Sequence, residues 1–141
     1  MGKTSSGYTA VSALDAALRK TMGVKAGVGL DTLRNALLAS PAASNFLEND
    51  IMSILTDGDY DDSFAMALAC KDLGLAVDLG RDIGVSTELS ALVEQIYRRS
   101  KAQHGDLAGE MSPVRLYESL AGQEFRLPAT QAREAGTPAA V

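Results

Sequence analysis

The chain has 141 residues, a formal net charge of −5 and a single cysteine, Cys70. That length supports one compact core. The acidic balance, with no gathered run of Lys and Arg, excludes a phosphate-backbone partner, and one cysteine excludes an intrachain disulfide or a cysteine-based zinc site. Aromatics make up only 5% and Trp is absent, so the core must be built from aliphatic helix formers, and an all-α fold is expected.

No apolar run reaches membrane-spanning length and no secretory block opens the chain, which points to a soluble, cytoplasmic protein with no membrane partner. Residues 1–7 read as a flexible start. Met1-Gly2 followed by Ser6 matches a myristoylation pattern of loose chemistry, and Gly2-Lys3-Thr4 resembles the end of a phosphate loop whose first glycine would lie upstream of Met1. Neither carries the argument.

The first helix is predicted from about Tyr8 to Met22, with Val11, Leu14, Leu18 and Met22 inward, stopped by Gly23, Gly27 and Gly29. Asp31, with Leu30 in staple position, caps a short helix carrying Leu33, Leu37 and Leu38. A third segment, about Pro41 to Leu55, offers Phe46, Leu47, Ile51, Ile54 and Leu55 as its buried face, with Glu48, Asn49 and Asp50 outside. A turn at Thr56-Asp57-Gly58-Asp59 leads to a central helix from about Ser63 to Ile83, closed by Gly84. After Ser86, a helix from about Thr87 to Gln103 repeats Leu89, Leu92, Val93, Ile96 and Tyr97 at core spacing, with Glu94 and Arg98 paired outside. A polar loop then reaches Ser112-Pro113 and a last helix with Val114, Leu116, Tyr117 and Leu120. The helical domain spans 8–122, and 123–141, rich in Ala, Gly, Pro and Thr, reads as a disordered tail.

The central helix sets Lys71 and Asp72 inside an apolar pattern, a placement that costs energy unless the charges are paired or used. At about 100° per residue, Phe64, Leu68, Leu75 and Leu79 share one arc and Asp72 projects from its middle. Asp72 is therefore expected to be buried and to lock this helix to a neighbour through an Arg or backbone amides. Lys71 falls where the arc meets Asp78 and Asp82, within reach of a cleft or snorkelling into water. Gly74 and Gly80 weaken the helix, so each implies close approach of another backbone.

Other constellations are weaker. Asp57 to Asp62 departs from a calcium loop at its sixth and twelfth places, occupied by Asp62 and Leu68, so no metal site is assigned. His104 lacks the strained nucleophile turn that a Ser-His-Asp system needs and reads as a surface loop residue, and Cys70 reads as a small packing residue.

Phe64, then Lys71-Asp72-Leu73-Gly74-Leu75-Ala76, Leu79, Gly84-Val85 and Leu89, resembles the C-terminal domain of the β-hydroxyacid dehydrogenases, the family of 3-hydroxyisobutyrate dehydrogenase and the semialdehyde reductases. Gly29-Leu30-Asp31, Ser44 with Leu47-Glu48-Asn49, and His104-Gly105-Asp106 follow in the same order, over roughly Ala13 to Leu120. The resemblance implies an all-α bundle that closes over NAD or NADP held by a Rossmann domain, acts on a small hydroxy acid or semialdehyde, and supplies a homodimer contact. It further implies that Lys71 lines the cofactor and substrate cleft, that Phe64 packs near the cofactor and that Asp72 orients the Lys71 region. The family's catalytic lysine stretch is not matched: Lys3 falls in about the right place but is followed four residues on by Gly7, so no catalytic residue is assigned. No Gly-x-Gly-x-x-Gly fingerprint is present either, which implies a separated or truncated C-terminal domain unable to transfer hydride alone. The alternatives are a non-enzymatic helical dimerisation module and a regulatory partner that binds an intact dehydrogenase.

Overall fold

The structure, a computed structural model, describes residues 6–61 and 65–127. Lys3, Phe64 and the tail from Pro128 lie outside the described residues. Among those described, the chain forms six α-helices and one π-helical turn: α1 (Ser6–Lys25), α2 (Leu30–Leu38), the turn Phe46–Asp50, α3 (Met52–Asp57), α4 (Met66–Asp82), α5 (Glu88–His104) and α6 (Pro113–Ala121). The all-α class read from composition is what the chain adopts.

Helix α1 separates two cores. On one side Ala13, Ala16 and Ala17 pack with Leu30, Phe46, Leu47, Ile51, Ile54, Leu55, Tyr60, Met111, Val114 and Phe125. On the other, Ala10 and Leu14 pack with Met66, Ala69, Cys70 and Leu73 of α4 and with Val93 and Tyr97 of α5. A helix that must be covered on two sides does best with small residues, which let both neighbours come close. That is why alanines face inward while Leu18 and Met22, expected inside, are exposed. The helix also runs through Gly23 to Lys25, and the chain turns at Gly27, whose φ of +82° suits glycine.

The segment after α2 buries the five residues expected, Phe46, Leu47, Ile51, Ile54 and Leu55. It is not one helix from Pro41, however: a π-helical turn at Phe46–Asp50 precedes α3.

Helix α4 starts at Met66, three residues later than expected, because its first amides are satisfied by a distant loop. The Met66 amide donates to the Ala108 carbonyl at 2.7 Å and the Ala67 amide to the Asp106 carbonyl at 3.1 Å. Its end at Gly84, with φ +72°, is as read. In α5, Val93 and Tyr97 are buried but Leu89 and Leu92 are exposed, and in α6 Val114 is buried while Leu120 is exposed. His104 is not a loop residue but the half-buried last residue of α5. The packed chain also continues past residue 122: Phe125 is fully buried and the Leu127 amide donates to the Leu55 carbonyl at 2.8 Å.

Candidate functional site

The face that α4 buries is not the one its leucines suggest. Met66, Ala69, Cys70, Leu73, Val77 and Gly80 point into the bundle, whereas Leu68, Leu75, Leu79 and Ile83 stand 47–64% exposed. The apolar arc of this helix is wider than its neighbours cover. At Gly80 a Cβ would fall 2.3 Å from Thr87 Cγ2 and 3.1 Å from the Val85 carbonyl oxygen, so only glycine allows the hairpin to close. The close approach inferred from the sequence at Gly80 is thus made by the 85–87 connection; at Gly74 the neighbour is the Glu94 side chain, 3.3 Å from a Cβ built there.

This corrects the reading of Asp72. Its side chain is 40% exposed and Lys71's 60%, with Lys71 Nζ 3.4 Å from Asp72 Oδ1. Asp72 is therefore half-buried, at the uncovered stripe between Leu68 and Leu75, and not the buried residue expected. The lysine is an accessible amine on the rim of that stripe. Phe64, the third residue implied for a cofactor surface, lies outside the described residues.

Next to this surface, Cys70 lines a small cavity of about 200 Å³ with Arg98, Lys101, Ala102 and Asp106. Burial raises its pKa, outweighing the cations of Lys101 and Arg98, so it is a packed thiol. Arg98 reaches Glu94 Oε1 with both Nε, at 2.9 Å, and Nη2, at 2.7 Å. That pair forms as expected from its spacing, but Glu94 itself is buried beside α4.

Sequence reasoning missed Lys20. It is fully buried on α1, and its Nζ has no hydrogen-bond partner among the described residues. Desolvation, followed by the nearby charge of Arg34, lowers its pKa to about 7 against a partial counter-effect from Glu118. The signal was present: Ala10, Ala13, Ala16 and Ala17 form a small-residue face whose continuation at helical spacing is Lys20.

The comparisons with known proteins settle the family. Residues 9–117 match the family model described as "NAD-binding of NADP-dependent 3-hydroxyisobutyrate dehydrogenase". The chain belongs to this family. It is 28% identical over 101 residues to a 2-(hydroxymethyl)glutarate dehydrogenase of Eubacterium barkeri, an alignment that covers 72% of this chain and 34% of that protein. It is 32% identical over 82 residues to the cytokine-like nuclear factor N-PAC of Xenopus tropicalis, covering 58% of this chain and 15% of that one, and the Gallus gallus counterpart matches equally. This 3-hydroxyisobutyrate dehydrogenase-like chain thus spans about a third of the curated dehydrogenase and less of the nuclear factors. The matched region is all-α among the described residues, and no helix there is long and apolar enough to cross a membrane.

Proposed function

We propose that this chain is the C-terminal, substrate-side and dimerisation domain of an NAD(P)-dependent β-hydroxyacid dehydrogenase or semialdehyde reductase, and that it works with a Rossmann domain. The observation that carries this reading is a family match across residues 9–117 of a wholly helical unit that spans about a third of the related dehydrogenase. A helical bundle has no strand-to-helix glycine turn to cradle a pyrophosphate, so NAD or NADP needs a second, α/β domain.

In that assembly the exposed amine of Lys71 faces the cofactor and substrate cleft as a hydrogen-bond donor and fixed positive charge, and Asp72, 3.4 Å away, orients it. The substrate is a small hydroxy acid or semialdehyde, and bound NAD(P) supplies the hydride chemistry. Leu68, Leu75, Leu79 and Ile83 of α4, with Val85, Leu89 and Leu92 across the hairpin, are the apolar surface available to a second copy or to the Rossmann domain. All but Leu68 and Leu75 lie within about two turns of the hairpin tip on either helix.

The test is a titration with NADPH of the chain alone and of the chain mixed with a Rossmann domain of a β-hydroxyacid dehydrogenase, alongside its mass in solution. The reading expects a dimer, cofactor binding only in the mixture, and weaker binding with Lys71→Ala. A stable dimer that never joins a Rossmann domain, or cofactor binding indifferent to Lys71, overturns it. The second reading is a non-enzymatic dimerisation or regulatory module, favoured by the 32% identity to proteins named as nuclear factors.

A further inference from the structure

We propose that the cleft between the C-terminal ends of α3 and α6 binds a small monocarboxylate, held by Arg115 and the Gln123 side chain. The cleft has a volume of about 570 Å³ and is lined by Tyr60, Arg115, Glu118, Gln123, Glu124 and Arg126, a size within the range of small-molecule sites.

One wall is already assembled. The Tyr60 hydroxyl donates to Glu118 Oε2 and accepts from Arg126 Nη2 at 3.0 Å, while Glu118 Oε1 accepts from the Phe125 amide at 2.8 Å and from Arg126 Nη1 at 3.2 Å. Arg126 is also 3.6 Å from Glu124 and lies across Gly58, where a Cβ would sit 2.5 Å from its Nη2. Its charge is therefore matched by two carboxylates and its position is fixed.

The other wall carries an unmatched charge. The Arg115 guanidinium rests 4.2 Å from the centroid of the Tyr60 ring and forms no ion pair with a carboxylate among the described residues. A guanidinium held over a ring uses its face there, and its N–H donors, which lie at the edge, remain for an acceptor in the cleft. Gln123 adds a neutral amide donor on the same rim. The lining holds two arginines and two carboxylates and so no net charge, and Arg115 is its one cation without a carboxylate partner among the described residues, which suits an acceptor of no more than one negative charge. A phosphate dianion would bring a second charge up against the two carboxylates.

The experiment is a titration of the full chain with propionate, with inorganic phosphate and with chloride at matched ionic strength, followed by backbone and side-chain amide NMR. Propionate should give saturable shifts at Gly122 and Gln123. Arg115→Gln should weaken binding by about tenfold or more with an unchanged thermal midpoint. If Arg115→Gln disturbs folding, Gln123→Ala at an exposed position should still weaken binding measurably. Shifts that do not saturate, that chloride reproduces, that survive both substitutions, or that phosphate elicits at lower concentration overturn the proposal. None of these outcomes depends on the Lys71 surface, so this site and the proposed dehydrogenase role stand or fall separately.

Discussion

The Tyr60 hydroxyl donates a hydrogen bond to the buried Glu118 carboxylate, 58 positions along the chain, tying the segment before α4 to α6. Glu118 also takes the Phe125 amide and Arg126, so one carboxylate gathers three separate stretches of the fold. Glu118→Leu should leave Tyr60, Arg126 and the Phe125 amide without their acceptor and cost about 3–5 kcal/mol, the range for breaking a buried charged pair from one side. Tyr60→Phe removes the donor to Glu118 and an acceptor of Arg126 but leaves the carboxylate its other partners, and should cost about 1–3 kcal/mol. Urea unfolding of both variants checks the order; equal losses would contradict it.

Lys20 makes stability depend on pH in a definite direction. Its folded pKa of about 7 lies below the ordinary 10.5, so between these values the unfolded chain binds more protons. Stability should therefore rise as pH increases from about 7 toward 10.5, and this group adds no further change below the lower value. Tyr60, with its pKa pushed up to about 12 by burial and then by Glu118, opposes that rise only above its ordinary 10.0. Lys20→Met should raise stability at neutral pH by a few kcal/mol and flatten the slope between about pH 7 and 9.5. Unfolding free energies at several pH values decide it.

The covered and uncovered faces of the α4–α5 hairpin should respond differently to truncation. Leu73 is 1% exposed, and Leu73→Ala should cost about 2–5 kcal/mol. Leu75 is 62% exposed and Leu92 59%, so either change to Ala should cost under about 1 kcal/mol while weakening self-association. Denaturation measured with sedimentation equilibrium separates the two effects.

Gly80 sets propensity against packing. Alanine would gain about 1 kcal/mol in helix propensity, but its Cβ would meet Thr87 Cγ2 at 2.3 Å and the Val85 carbonyl oxygen at 3.1 Å. A β-branched side chain and a backbone carbonyl yield little, so Gly80→Ala should be destabilising by about 1–3 kcal/mol. Adding Thr87→Ser removes the methyl and should recover part of the loss, which a double-mutant cycle measures.

Lys71→Ala should leave stability within about 0.5 kcal/mol, since the amine is exposed and its ion pair is with its chain neighbour Asp72. Thermal melts test this directly, and an unchanged midpoint makes any loss of cofactor affinity attributable to the site.

Composition and spacing alone identified the helical class, the helices, the five buried residues between Phe46 and Leu55, and the glycine that ends α4. The Lys71-Asp72 pair was also visible in the sequence, because charges in an apolar pattern stand out. Tertiary structure decided which half of each apolar arc is covered. In α1 it is the half carrying Ala10, Ala13, Leu14 and Ala17, and in α4 the half carrying Met66, Ala69, Leu73, Val77 and Gly80, while Leu18, Leu75 and Leu79 remain outside. Periodicity measures how wide an apolar arc is, but coverage depends on how near a neighbour can come, and backbones approach most closely where side chains are smallest. The same rule hid Lys20 inside an alanine face and placed Asp72 on an open one.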